Sequence, residues 1–162
     1  MPEDGQREGR IARTLCAGIR FETTSGFVRP SRWQDVKGFA PIWEAFQAYA
    51  QGLSQGGSRP QITAGDLQPD ELEKCFKAFR IAAGLACRGR RLFITEDRHI
   101  GLGPGRMEEG DVVSVIYGAH WPFVLRPVGK QFQLVGYCYV DGIMGGEMID
   151  CADTSVQDLC IV

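Results

Sequence analysis

The chain has 162 residues, of which 44% are hydrophobic and 23% charged. That size and balance suit one domain or a domain with an appendage, and they exclude two full enzyme domains, a fibrous repeat and wholesale disorder. The net charge of −2 hides an asymmetry: residues 1–106 carry 16 Lys and Arg against 12 Asp and Glu, whereas 107–162 carry 2 against 8. A dipolar surface follows, without the one-sided basic excess of a nucleic-acid footprint.

Residues 1–32 mix charged and small residues around one apolar patch at Leu15-Cys16-Ala17-Gly18-Ile19 and show no sustained period, so they read as an extended lead-in. The opening Met1-Pro2-Glu3-Asp4 lacks the apolar segment of a signal peptide, and no run reaches the roughly 18–20 apolar residues of a membrane span. A soluble, cytoplasmic protein is expected. From Phe39, the positions Phe39, Trp43, Phe46, Ala50 and Leu53 form one stripe, predicting a helix over 40–52 with Pro41 in its first turn. A flexible loop over 54–66 follows, rich in glycine and serine at its start.

Gln68-Pro69-Asp70-Glu71 is a helix-start signature, with proline preset in the first turn and acids at the positive end of the dipole. Leu72, Phe76, Phe79, Ala83 and Ala86 make its stripe, widened by Cys75, Ala82 and Leu85, and Cys87-Arg88-Gly89 suits its end near residue 88. Beyond Gly89, β-branched and aromatic residues come in short runs between glycine, proline and acidic turns. Strands are predicted at 91–95, 99–102, 111–117, 122–127, 132–140 and near 147–150. Glu96-Asp97-Arg98 makes the first turn, and Val128-Gly129-Lys130-Gln131 a hairpin. Five or six short strands suit a small closed barrel, which also hides sheet edges.

The predicted fold is α+β: two N-terminal helices followed by a small, mostly antiparallel β-barrel of five or six short strands. Its parts are the lead-in at 1–32, a helical segment at 33–89, the barrel at 90–150 and a C-terminal tail at 151–162. The six cysteines are expected to be reduced thiols, since a chain of this size builds a core without staples. No CxxC or HxxxH spacing occurs, and with His99 and His120 alone a structural zinc site has no support.

The ordered series Arg90-Arg91-Leu92-Phe93-Ile94-Thr95-Glu96, Ile100-Gly101-Leu102-Gly103-Pro104, Glu109-Gly110-Asp111-Val112-Val113, Pro122-Phe123-Val124-Leu125-Arg126-Pro127, Leu134-Val135-Gly136-Tyr137-Cys138-Tyr139-Val140 and Gly142-Ile143-Met144 with Gly146-Glu147 resembles the C-terminal β-barrel region of fungal heterokaryon-incompatibility proteins. Arg13-Thr14-Leu15-Cys16-Ala17-Gly18 and the two helices look like the segment that precedes it. The resemblance implies a role in nonself recognition and fungal programmed cell death as context. In that family the death-linked signalling domain lies N-terminal to this region, and a chain beginning at Met1 is expected to lack it, so the killing activity is not carried over.

Gly101-Leu102-Gly103-Pro104-Gly105 echoes a phosphate-cradling loop, but the acidic, strand-directed Met107-Glu108-Glu109-Gly110-Asp111 follows in place of a helix. It reads as a bend between strands. Glu109-Gly110-Asp111 reads as a tight turn in which aspartate bonds nearby amides. Arg126, between Leu125 and Pro127, needs a carboxylate, for which Glu147 or Asp141 is the expected partner. His120 and Cys138 suggest a nucleophile and its base. Strand alternation instead puts Cys138 on one face with Leu134 and Gly136, as a small buried thiol. Arg88-Gly89-Arg90-Arg91 with Phe93 is explained by a helix end and solvation, which disfavours nucleic-acid binding. His120-Trp121-Pro122-Phe123 exposes costly apolar area unless the first helix or another chain covers it.

The favoured reading is a noncatalytic regulatory or recognition module without a cofactor, whose partner is a protein or a separate signalling domain. Its candidate surface is His120, Trp121, Phe123, Arg126, Asp141 and Glu147. The alternative is a small ligand-binding barrel or hydrolase with a site around Arg126, His120 and Glu147.

Overall fold

A computed structural model describes residues 4–24, 27–32, 69–148 and 156–162. The predicted helix at 40–52 and loop at 54–66 lie outside them. The chain divides into two compact units, Met1–Ala86 and Cys87–Val162.

In the first unit the expected extended lead-in is instead a helix and a hairpin. Helix α1 runs Asp4–Leu15, with Arg13 in its last turn, at the negative end of its dipole. It closes in a Schellman motif: Ala17 adopts φ 49°, Ala17 N–H donates to Thr14 O at 3.0 Å, and Gly18 N–H donates to Arg13 O at 2.8 Å. Ala12, Thr14 and Cys16 are buried, and the Thr14 hydroxyl donates to Arg10 O at 2.8 Å. The apolar residues of this helix crowd into its last turn, which is why no period announces it. Strands β1 (Ile19–Thr24) and β2 (Phe27–Arg32) pair antiparallel, from Ile19 opposite Arg32 to Thr24 opposite Phe27.

Helix α2, Pro69–Ala86, agrees with the predicted element and packs beside β1 and α1. Phe76, Phe79 and Ala82 are its buried line, while Ile81 and Leu85 remain exposed, so the stripe is narrower than expected on the Leu85 side. No described helix is long and apolar enough to cross a membrane.

The second unit holds six short strands: β3 (Arg90–Ile94), β4 (Ile100–Pro104), β5 (Val112–Ser114), β6 (Phe123–Val128), β7 (Gln131–Tyr137) and β8 (Tyr139–Val140). The first reversal is the predicted one. Arg98 turns at φ 62°, Thr95 N–H donates to His99 O at 2.9 Å, and His99 N–H donates to Thr95 Oγ1 at 3.0 Å. Gly129, at φ 62°, turns the β6–β7 hairpin, again as predicted.

Closure into a barrel is not observed. The described strands form two three-stranded antiparallel sheets, ordered β3-β4-β8 and β5-β6-β7. The predicted strand at 132–140 is divided between them. Gly136 sits at φ 152°, and the Cys138 N–H donates to Pro122 O at 2.9 Å, the last bond in register with the β6 ladder. Tyr139 and Val140 then pair with β4. The outer edge of β7 is covered at Phe132 by the C-terminal residues: Phe132 N–H donates to Cys160 O and Val162 N–H to Phe132 O, each at 2.8 Å.

A bulge between Val124 and Leu125 on their β7 pairing leaves Leu125 opposite Leu134 and Val124 opposite Gly136, with Val135 as the extra residue. Val135 therefore points inward while Leu134 is exposed, which corrects the shared face expected for Leu134 and Cys138. Met107, Val124, Val135, Cys138 and Val140 form the core, flanked by Phe93, Val113 and Ile143. Residues 141–148, part of which was expected as a last strand, are turns.

Candidate functional site

Arg126 leaves β6 beside the turn that precedes β5, and the register dictates its partner. Val112 stands opposite Leu125, so the preceding Asp111 faces the following Arg126. The guanidinium Nε donates to Asp111 Oδ1 at 2.8 Å and Nη2 to Oδ2 at 3.0 Å, a bidentate fork. Nη2 also donates to Arg106 O at 3.0 Å, and Nη1 lies 3.1 Å from Glu108 Oε1. Asp111 Oδ2 in turn accepts from Glu108 N–H at 2.8 Å, the local bond expected of that turn. The Asp111 side chain is 2% exposed against 29% for Arg126. The hydrogen bond from Arg126 holds the Asp111 carboxyl below its usual range, helped by the Glu108 amide and partly opposed by burial.

Arg126 thus contacts neither Glu147 nor Asp141, the partners expected from sequence. Asp141 is buried at the end of β8, where its N–H donates to Ile100 O at 2.9 Å and its Oδ1 accepts from the Tyr139 hydroxyl at 3.3 Å. Glu147 caps its own turn, with Oε2 accepting from Gly145 N–H at 2.7 Å. Asp141 and Glu147 accept these bonds from groups two residues away, whereas Arg126 is held across the β5–β6 pair and touches neither of them.

His120 and Trp121 are exposed on the loop before β6, Pro122 is buried and Phe123 is half-buried. The Trp121 ring lies 6.3 Å from that of Tyr137, tilted by 54°. On Tyr137 also rests the Arg90 guanidinium, 4.1 Å from the ring centroid. Cys138 is wholly buried, and burial pushes its thiol up to about 12, against a small opposing pull from Arg90. It is a core residue without thiolate character at neutral pH. Among the described residues, no group of three or more His, Cys, Asp or Glu side chains is placed to hold a metal ion.

A second locality is an open cleft of about 470 Å³ at the β3 start, the β4 end and the β7 bulge, where Arg88, Arg90, Arg106 and Tyr137 meet over Gly105 and Gly136. Arg106 and Tyr137 are 31 positions apart and come together only through the sheets, so sequence reading did not join them to Arg88 and Arg90.

A family model described as the Het-6 beta-barrel domain matches residues 31–160. The chain belongs to the Het-6 β-barrel family. Over 69 residues this Het-6 domain is 45% identical to heterokaryon incompatibility protein 6, OR allele, of Neurospora crassa. That stretch is 40% of the chain and 10% of the relative, so the chain spans about a tenth of the length of that protein. No solved structure matches it.

Proposed function

We propose that this Het-6 domain is a noncatalytic recognition or regulatory module of the heterokaryon-incompatibility system, acting in the cytoplasm on a protein partner or a separately supplied signalling domain. Family membership over 31–160 carries the reading. How the polar groups are spent supports it. Arg126 and Asp111 hold a turn, Glu147 caps another, and Cys138 is locked in the core. What the fold leaves outward is a half-buried aromatic ledge, with Trp121 41% and Tyr137 53% exposed. Aromatic side chains of this kind anchor protein interfaces, where their large rigid surfaces are buried at low entropic cost. Nonself recognition and programmed cell death are, on this proposal, the setting in which the contact acts.

The test is expression of residues 1–162 alone in a filamentous fungus beside the Trp121→Ala variant. Growth is expected to be unaffected by either protein, and capture of a native partner is expected to weaken with the variant. Growth arrest caused by the 162 residues themselves would overturn the reading.

A further inference from the structure

We propose that the cleft between Arg88, Arg90 and Arg106 is a binding site for a small organic diphosphate, recognised through its phosphate groups. Arg126 has two carboxylates, Asp111 and Glu108. None of Arg88, Arg90 and Arg106 meets a carboxylate among the described residues, although all three line the same cleft. Arg106 sends Nε and Nη2 to the Val135 carbonyl, the former at 2.9 Å, and Arg90 sends Nη1 to Leu102 O at 3.3 Å while lying on Tyr137. A carbonyl or a ring face positions a guanidinium without neutralising it. Two of the three cations are therefore fixed in orientation with donors to spare, and an anion binding there avoids much of the ordering cost.

The ligand class follows from charge and shape. A single carboxylate would leave three cations badly under-compensated. A phosphate monoester carries about −1.5 to −2 near neutral pH, and a diphosphate more. The guanidinium fork matches phosphate oxygens in pairs. The cleft volume of about 470 Å³ lies in the range of roughly 300–1,000 Å³ occupied by small-molecule sites. Its floor is close-fitting: a Cβ at Gly105 would come within 2.8 Å of the Gly89 carbonyl oxygen, and one at Gly136 within 2.8 Å of the Pro104 ring at Cγ. Gly105 N–H already donates to Gly89 O at 2.9 Å, so recognition here belongs to the arginines rather than to an amide cradle.

The experiment titrates the full 162-residue protein with sodium pyrophosphate at low ionic strength, by calorimetry and by amide chemical shifts. Saturable binding is expected, at least tenfold tighter than inorganic phosphate, with shifts centred on Gly89, Gly105, Gly136 and Tyr137. Arg88→Gln removes a side chain with no described protein partner, so the fold is retained and the affinity is expected to fall about tenfold. Lys130→Gln, on the β6–β7 turn and not among the cleft residues, is expected to change affinity less than twofold. ADP distinguishes the source: binding tighter than pyrophosphate assigns a nucleotide, equal binding assigns the diphosphate group alone, and both support the site. Absence of saturable binding, equal loss in Lys130→Gln and Arg88→Gln, or tighter binding of a single-stranded oligonucleotide or a glutamate-rich peptide would each overturn it.

Discussion

Arg126 shows how one side chain does several structural jobs at once. Its fork closes on a carboxylate that is almost fully enclosed, while a third arm reaches the Arg106 carbonyl, so the turn from 106 to 111 is tied to β6. Removing Asp111 strips the guanidinium of its bidentate acceptor and the Glu108 amide of its cap. Asp111→Ala is therefore expected to destabilise the fold by about 2–3 kcal/mol, the scale of losing hydrogen bonds to a charged group. Arg126→Ala is expected to lower the melting temperature while leaving partner capture unchanged at temperatures where the protein stays folded. Unchanged melting with altered capture would show that the arginine faces a ligand. Acid gives an independent handle. Because the folded Asp111 carboxyl titrates below its unfolded value, its stabilisation is complete above the unfolded carboxylate range and is lost as pH falls through the folded value. Unfolding followed between pH 6 and pH 2 should show this loss, and Asp111→Asn should flatten that part of the profile. The pairing was legible in principle. Glu108, Asp111 and Arg126 were each recognised as charged residues around short strands, but the partner depends on which strands form the hairpin. Once Val112 faces Leu125, Asp111 must face Arg126.

At the scale of elements, β3 and β4 depend on a ring filling the space over two glycines. A Cβ at Gly101 would stand 2.6 Å from Phe93 Cε1, and one at Gly103 would stand 2.6 Å from Met107 Sδ and 3.2 Å from the same Phe93 atom. Phe93 faces Gly101 in the ladder, so the ring lies across β4 where side chains are missing and reaches the core around Met107. Gly101→Val is expected to destabilise by about 2–4 kcal/mol, as a ring displaced from a packed position cannot relax cheaply. Combining it with Phe93→Ala is expected to cost less than the sum of the single changes, because the second substitution removes the clash caused by the first. Strict additivity in urea denaturation would show that the two sites are not coupled. The same pair of strands illustrates what pattern can reveal. Their turn residues and hairpin signals were readable because glycine and Asp-Arg reversals act locally. The bulge that turns Val135 inward and the split of one apolar run between two sheets were not. Alternation assumes an unbroken ladder, and a bulge inverts every later assignment. Helix α1 escaped for the opposite reason: its polar first turns give no stripe, and its end is fixed by backbone bonds to Ala17 and Gly18.

For the molecule as a whole, the boundary at Ala86 and Cys87 coincides with the change from helical to strand-like sequence, the coarsest feature that composition displays. The second unit has its own core in Met107, Val124, Val135, Cys138 and Val140, its own charged clamp, and a C-terminal residue pair covering the edge of β7. Each of these is drawn from within 87–162, and so that segment is expected to fold when produced separately. A core in a chain of fewer than about 80 residues rarely supplies more than about 3–5 kcal/mol, so the margin is narrow. This makes the C-terminal contribution visible. Removal of 156–162 frees the Phe132 N–H and C=O, which each form a 2.8 Å bond, and exposes a strand edge. The shortened segment is expected to lose about 1–2 kcal/mol and to self-associate as its concentration rises. Trp121 is the sole tryptophan after residue 86 and lies beside Tyr137 on β7, so its fluorescence reports directly on the β6–β7 hairpin during urea unfolding. A single cooperative transition for 87–162, moved to lower urea by the truncation, is the expected result. A gradual, non-cooperative loss of signal in the untruncated segment would mean that the second unit borrows its stability from the first.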